Sequence, residues 1–149
     1  MAQQYNRQRG SNRSGQSGRP PVKALPVTFY LDAEKQNLNP TLLNADAEKQ
    51  ADSLHRNINS AQIRRFFGEV KNLGLRLEQG RPWSQVEPLF RMLRSKAAYA
   101  AGTRKVPYEF SAFIADNVER VKDENDFKAF VLYFEAVLGF AYGKGLVKK

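Results

Sequence analysis

The sequence predicts an all-α protein: a compact bundle of about four to five helices, preceded by a basic N-terminal arm that we expect to be disordered. Three observations support this class. Apolar residues recur at three- and four-residue spacing from residue 59 onwards, the one strand-like stretch lies between prolines, and residues 1–21 are almost free of apolar side chains. A chain of 149 residues suits one domain of this kind.

Residues 1–21 are the predicted basic arm. Gln, Asn, Arg, Ser, Gly and Pro dominate them, and Tyr5 is their single aromatic residue. Such a segment has too few apolar groups to offset the entropy lost on ordering. Two interpretations stay open: a solubilising extension, or a segment that touches nucleic acid.

Residues 22–58 are predicted to be an irregular segment that contains one short helix. The stretch "VTFYL" has strand-like residues, but Pro26 and Pro40 bracket it and no partner strand is evident. After Asn44, which is a suitable N-cap, "ADAEKQADSLHRN" predicts a short polar helix. His55, near its end, is interpreted as a surface residue and not as a ligand or base.

Residues 59–149 are the predicted helical bundle domain. Its first helix is expected to begin at Asn59 or Ser60 and to reach about Gln79, with Gly80 after its end. The apolar stripe consists of Ile63, Phe66, Phe67, Val70, Leu73 and Leu77. Arg64 and Lys71 fall on one flank of this stripe, with Gly68 between them. The small Gly68 would let a phosphate backbone approach, or the flank is simply a solvated helix edge.

The second helix is predicted to start near Glu87, because Pro88 is acceptable only in a first turn, and to end at Gly102. Its expected core face is Val86, Leu89, Phe90, Leu93, Ala97 and Ala101. Tyr99 points away from that face, near Lys96. We therefore expect Tyr99 to bury itself against another surface.

Two further helices complete the predicted bundle. One starts at Pro107, runs to about Lys122 and places Phe110, Phe113, Ile114, Val118 and Val121 on one face. The other is capped by Asp123 or Asn125 and is apolar nearly all round, so it is expected to be central or to lie between subunits. The closing "GFAYGKG" is interpreted as a helix stop, because it lacks the spacing of a phosphate-binding loop.

The net charge of +9 is concentrated in two places. Five basic residues and no acidic one precede Asp32, and another five basic residues without an acidic one lie between Pro88 and Tyr108. The other 14 basic and 15 acidic residues nearly cancel. Localised positive charge of this kind favours a polyanionic partner.

Most catalytic chemistry is excluded by composition. Without cysteine and with one histidine, the chain offers no zinc site and no Cys/His or Ser/His/Asp arrangement, so we expect no catalytic residue, metal or cofactor. Glu135, inside "LYFEAVLGF", is either a buried acid/base or a structural carboxylate paired with an arginine such as Arg64. No signal peptide or membrane-spanning run is evident, which predicts a cytoplasmic protein without a membrane partner.

Taken together, "NSAQIRRFFGEVKNL", "LRSKAAYAAGTRK" and a Phe-rich C-terminal helix with an embedded glutamate and a Gly/Lys end resemble a known family. It is the small helical subunit of the type III-A CRISPR effector, the second subunit of the Csm complex. The order and spacing of the motifs carry the resemblance over about residues 59 to 146, so the arm and residues 22–58 lie outside it.

The resemblance implies a non-catalytic RNA-binding subunit that self-associates as the inner filament of a guide-RNA complex. Its partners would be guide RNA, target RNA, the large subunit and the backbone-filament subunits, where the catalytic activities reside. Base pairing would read sequence while the protein contacts the RNA backbone.

The same resemblance assigns backbone contacts to Arg64 or Arg65 and to Arg94, Lys96 and Arg104, while Lys71 and Lys105 join them from charge placement alone. Tyr99 is expected either to stack on a base or to pack against its own bundle or the next subunit. The full set of candidate RNA-binding residues is Arg64, Arg65, Lys71, Arg94, Lys96, Tyr99, Arg104 and Lys105.

Three other functions stay open at the level of sequence. An autonomous helical DNA-binding regulator would need base-reading residues on one recognition helix, and "AYAAGT" offers few. An RNA-processing enzyme would depend on Glu135. The small subunit of the related type III-B complex would share the basic, helical character.

Overall fold

The structure, a computed structural model, describes residues 24–54 and 58–148. Within them lie six helices: α1 Ala45–Ser53, α2 Ser60–Glu78, α3 Trp83–Arg91, α4 Leu93–Gly102, α5 Tyr108–Arg120 and α6 Glu124–Gly143. Two short strands, β1 Ile58–Asn59 and β2 Val147–Lys148, form one parallel pair in which Ile58 faces Val147. The predicted all-α class is confirmed. The predicted arm and His55 fall outside the described residues.

Helix α6 has nine buried residues, but one of its faces, with Lys128, Leu132, Glu135 and Gly139, is exposed, so the helix is not enclosed on all sides as a fully central position would require. Its aromatic residues Phe127, Phe130, Tyr133 and Phe134 are buried, and the rings of Phe130 and Phe134 stack with centroids 5.7 Å apart. Phe113 of α5 packs on three of these rings. Aromatic packing of this density supplies much of the hydrophobic stabilisation of a small domain.

Local capping chemistry fixes where α2 and α6 begin. The side chain of Asn59 accepts a hydrogen bond from the Gln62 amide at 3.2 Å, and the Asp123 side chain accepts one from the Asp126 amide at 2.9 Å. Both caps are among those predicted. Asn44 is the N-cap residue of α1, at the predicted position, but its side chain makes no capping hydrogen bond. The preceding turn is held instead by Thr41, whose hydroxyl donates to Asp46 at 3.0 Å.

The predicted helix from Glu87 to Gly102 is two helices. Helix α3 already begins at Trp83, so Pro88 lies in its interior, and α3 and α4 meet at Met92, which keeps helical angles of φ −65° and ψ −21°. The indole of Trp83 packs on Phe90 and Phe127, with ring centroids 6.0 and 5.4 Å apart. This tertiary packing outweighs the cost of a proline that cannot donate to the helix ladder.

The expected core face of this region is correct except at Leu89, which is exposed. The helical wheel placed Leu89 beside Phe90 and Leu93, both of which are buried. No neighbouring element covers Leu89 among the described residues, so its position on the wheel does not lead to burial.

Residues 24–44 form a strap that crosses the bundle. Phe29 and Leu42 are buried in the core, and the Lys35 ammonium bridges Asp123 and Asp126 at the start of α6. An isolated antiparallel bridge joins Tyr30 and Leu38. Residues 24–44 contain no regular helix or strand, and neither this bridge nor the β1–β2 pair was foreseen from the sequence.

Candidate nucleic-acid interface

All eight candidate RNA-binding side chains lie on the surface. They belong to three places: the exposed side of α2, the exposed side of α4, and the turn of residues 103–107 that joins α4 to α5. None of them contributes to the hydrophobic core. The surface is therefore available to a partner without any rearrangement of the bundle.

Four of the eight residues converge on one concavity between α2 and α4, which we call the α2–α4 groove. It has a volume of about 370 Å³ and is lined by Gln62, Arg65, Phe66, Glu69, Ser95, Lys96, Tyr99, Ala100 and Lys105. Phe66 and Ala100 are the buried residues of this lining, and the others are polar or exposed. The groove therefore combines an apolar floor with charged walls.

Helical periodicity explains how the groove forms. Gln62, Arg65, Phe66 and Glu69 follow one another at three- and four-residue spacing and so share one face of α2. Helix α4 packs mainly on α5, while α2 packs on α3 and α6. Because α2 and α4 each pack against other helices, a space remains between them. The small side chain of Ala100 does not fill this space.

Two of the cations counted as uncancelled in the sequence are paired. The Lys96 ammonium lies 3.0 Å from Glu69 across the groove, and the Arg91 guanidinium lies 3.0 Å from Glu87 and also donates to the Val118 carbonyl. The expectation of fully uncancelled charge between residues 88 and 108 is therefore wrong at these positions. The Lys96 pairing was not visible because Glu69 is far away in sequence, whereas Glu87 lies only four residues before Arg91, just outside the stretch in which the charges were counted.

The remaining cations of this surface carry free charge. Arg65, Arg94, Arg104 and Lys105 make no ion pair with any residue that the structure describes. Exposed, unpaired guanidinium and ammonium groups keep their full attraction for an anion, because no internal carboxylate competes for them.

Tyr99 does not bury itself within this chain, contrary to the expectation that it would pack on another part of the bundle. Its side chain is 68% exposed and lines the α2–α4 groove. The Lys105 ammonium lies 5.9 Å from the centroid of the Tyr99 ring, within cation–π range. The exposed ring is therefore accessible to a partner molecule.

Arg104 has an unusual backbone. Its φ of 61° lies in the left-handed region, and the Lys105 amide donates back to the Ala100 carbonyl at 2.8 Å to close the end of α4. Glycine normally occupies such a position, because a side chain there costs about 1 to 2 kcal/mol. An arginine in this strained position indicates that its side chain has a role that offsets the loss of stability.

Arg64 and Lys71 form a separate edge on the outer side of α2. The Arg64 Nε donates to the Tyr142 hydroxyl at 3.1 Å, and that hydroxyl is 2.9 Å from the Ser60 hydroxyl. This arrangement leaves the two terminal nitrogens of the guanidinium available. A side chain added at Gly68 would meet no atom within 4 Å, so the space that the sequence predicted beside Gly68 is open.

Three residues of this surface were missed at the sequence level. Gln62 and Glu69 line the groove, and both lie on the same helical face as Arg65, so a helical wheel centred on Arg65 would have found them. Tyr142 holds Arg64, and no local signal connects positions that are 78 residues apart.

Glu135 offers no catalytic geometry. Its side chain is exposed, and Arg64 contacts Tyr142 instead, so both interpretations of a buried Glu135 are wrong. Among the described residues no group of His, Asp and Glu could hold a metal ion. No helix in the described ranges is long and apolar enough to cross a membrane.

The fold and this surface define a class: a small, all-helical protein with a cationic groove that contains an exposed tyrosine. A family model described as Csm2 Type III-A matches residues 37–145, and the chain belongs to that family, the small subunit of the type III-A CRISPR complex. Membership implies association with the other subunits of that complex. Neither the comparison with curated proteins nor the comparison with solved structures gave a match.

The family match extends further than the sequence motifs suggested. It begins at residue 37 and so includes α1 and the end of the strap, which the motifs left outside the resemblance. It also favours the type III-A subunit over its type III-B relative.

Proposed function

We propose that this protein is a non-catalytic RNA-binding subunit of a cytoplasmic type III-A CRISPR ribonucleoprotein that acts in antiviral defence. It stacks with further copies of itself as an inner filament and contacts the backbone of guide and target RNA without sequence preference. Its partners are the guide RNA, the target RNA, the large subunit and the backbone-filament subunits.

The observation that carries this proposal is the convergence of exposed cations on adjacent faces of α2 and α4. Arg65 and Lys105 line the groove without an ion-pair partner among the described residues, and the exposed Arg94 and Arg104 are next in sequence to the lining residues Ser95 and Lys105. Contacts with phosphates position a nucleic acid without reading its sequence, so exposed positive charge is sufficient to make them.

The first test is RNA binding by the purified protein over a salt series. Wild type is compared with the triple variant Arg94→Ala/Lys96→Ala/Arg104→Ala on unrelated single-stranded and guide-paired RNAs. We expect affinity that is independent of sequence and that falls steeply with salt. The slope of log K against log salt should be about 1.4 smaller for the variant on single strands, because about 0.7 counterions are released per phosphate contact and two of the three replaced residues, Arg94 and Arg104, have no ion-pair partner among the described residues, whereas Lys96 is paired with Glu69.

A control variant separates local contacts from overall charge. Lys49→Ala/Lys122→Ala/Lys128→Ala removes the same charge from exposed positions outside the groove and should retain most of the wild-type slope. Equal losses in both triple variants would contradict a specific surface. A preferred duplex DNA site would favour the regulator. RNA binding that is unchanged in the Arg94→Ala/Lys96→Ala/Arg104→Ala variant would assign binding to another segment, with the predicted N-terminal arm as the first candidate.

A further inference from the structure

We propose that the α2–α4 groove receives one unpaired ribonucleotide, with its base stacked on Tyr99 and its phosphate held by Arg65 and Lys105. This inference rests on the proposed RNA-binding function and adds a base pocket to a surface otherwise assigned to phosphate contacts. It concerns a binding site for a nucleoside unit of an RNA strand and assigns no base identity.

The exposure of Tyr99 is the first observation. The ring is 68% exposed, although its neighbours Ala98 and Ala100 on α4 are small and would not hinder a different orientation. A large aromatic side chain left in solvent loses the free energy that burial would provide. A flat ligand stacked on the ring recovers it.

The shape and size of the groove are the second observation. Its volume of about 370 Å³ is at the small end of the range of about 300 to 1,000 Å³ that is typical of small-ligand pockets. Paired bases inside an RNA duplex cannot enter such a concavity, because only unstacked nucleotides expose their faces to a protein. Phe66 and Ala100 form an apolar floor, which suits contact with the apolar ring surface of a nucleobase.

The distribution of charge around the ring is the third observation. Lys105, 5.9 Å from the ring centroid, and Arg65 across the groove can neutralise the phosphate of a nucleotide whose base lies on Tyr99. Gln62 and Glu69 supply donors and acceptors to the edge of the base, and the 3.0 Å ion pair with Lys96 fixes the Glu69 carboxylate. An aromatic platform among cations is the combination that binds single-stranded nucleic acid.

The test compares two RNAs with the full-length protein. Both are duplexes of the same sequence, and one carries a single bulged 2-aminopurine nucleotide while in the other this nucleotide is paired. Dissociation constants are measured for wild type, Tyr99→Ala, Tyr99→Phe and the control Leu132→Ala, which removes an exposed apolar side chain of α6. Urea unfolding verifies that each variant is folded.

We expect wild type to bind the bulged RNA more tightly and to change its 2-aminopurine emission. Tyr99→Ala should weaken binding of the bulged RNA by about 5- to 150-fold and leave the paired RNA within about twofold, since stacking on an aromatic contributes on the order of 1 to 3 kcal/mol. Tyr99→Phe and Leu132→Ala should behave as wild type.

Three results would overturn this inference while the proposed function stands. They are equal affinity of wild type for both RNAs, an equal loss on both RNAs in Tyr99→Ala, and displacement of the bulged RNA by micromolar adenosine monophosphate, which would assign the groove to a free nucleotide. Failure of wild type to bind either RNA at low salt would overturn the proposed function as well.

Discussion

Arg104 and Lys35 are the two residues other than glycine with a positive φ in the described chain, at 61° and 56°. Their surroundings differ. The Lys35 ammonium is paired with Asp123 and Asp126, and the hydrogen bond to Asp123 raises the pKa of Lys35. The strap therefore gains ion pairs from its strained residue, whereas Arg104 has no such internal compensation.

The strain at Arg104 predicts a trade-off between stability and binding. Arg104→Gly should have a free energy of unfolding about 1 kcal/mol higher than Arg104→Ala, because glycine adopts the left-handed region without a steric cost. Both variants should lose the same RNA affinity, since both lack the charge. Urea unfolding and salt-dependent RNA binding measure the two quantities. Equal stability of the two variants would show that the turn relaxes without strain.

We expect the Tyr142 hydroxyl to position the Arg64 guanidinium for contact with RNA. Tyr142→Phe removes the acceptor of the Arg64 Nε bond and should weaken RNA binding by about twofold to tenfold, the value of one hydrogen bond. In an Arg64→Ala background the same change should have no further effect on affinity. An additive loss in the double variant would contradict positioning and assign Tyr142 an independent contact.

Burial of the Tyr133 hydroxyl should make the free energy of unfolding depend on pH. Burial raises the pKa of its hydroxyl well above the usual 10.0, with the nearby Arg120 charge opposing the change, and the hydroxyl has no hydrogen-bond partner among the described residues. Above pH 10 the unfolded state therefore loses this proton before the folded state does. The free energy of unfolding should fall as pH rises, by about 1 kcal/mol between pH 9 and 11 for this group.

The measurement is urea unfolding of wild type and Tyr133→Phe at both pH values. Other tyrosines and lysines also titrate in this window, so only the difference between the two proteins reports Tyr133. We expect the variant to lose about 1 kcal/mol less than wild type. Identical pH profiles would mean that the hydroxyl is solvated in the folded state.

At the scale of elements, the proline inside α3 predicts that its replacement will increase stability. Pro88 lies inside α3 and cannot donate to the helix ladder, so Pro88→Ala should raise the free energy of unfolding by about 1 to 2 kcal/mol. The control Pro82→Ala lies at the N-cap, where a proline fits, and should lower it by about 0.5 kcal/mol. Thermal and urea unfolding measure both. A loss of stability in Pro88→Ala would indicate that the junction of α3 and α4 depends on the ring.

The success of sequence analysis for the elements depended on how local each signal was. Asn59 and Asp123 cap their helices through the following three residues, and both were predicted. The start of α3 was wrong because Trp83 is held by Phe127, which is distant in sequence. The same limit explains Tyr99 and Glu135: a helical wheel gives the direction of a side chain but does not tell whether another helix lies there.

At the scale of the whole molecule, the fold brings basic residues that are distant in sequence together on one surface. Cations from α2 and α4, separated by about 30 positions in sequence, meet at one groove because both helices turn one polar face outwards. The sequence could identify these residues as charged and exposed. It could not reveal that Glu69 neutralises Lys96 or that Arg64 lies apart from the others, since both facts depend on how helices pack.

The most direct test of the RNA-binding claim is to map photo-cross-links between the wild-type protein and RNA containing 4-thiouridine by mass spectrometry, with the protein alone and in the assembled complex. The account predicts cross-links within residues 62–71 and 94–105, on α2, α4 and the turn after α4. Cross-links confined to α1 and α6, or binding without any cross-link in these two stretches, would contradict it.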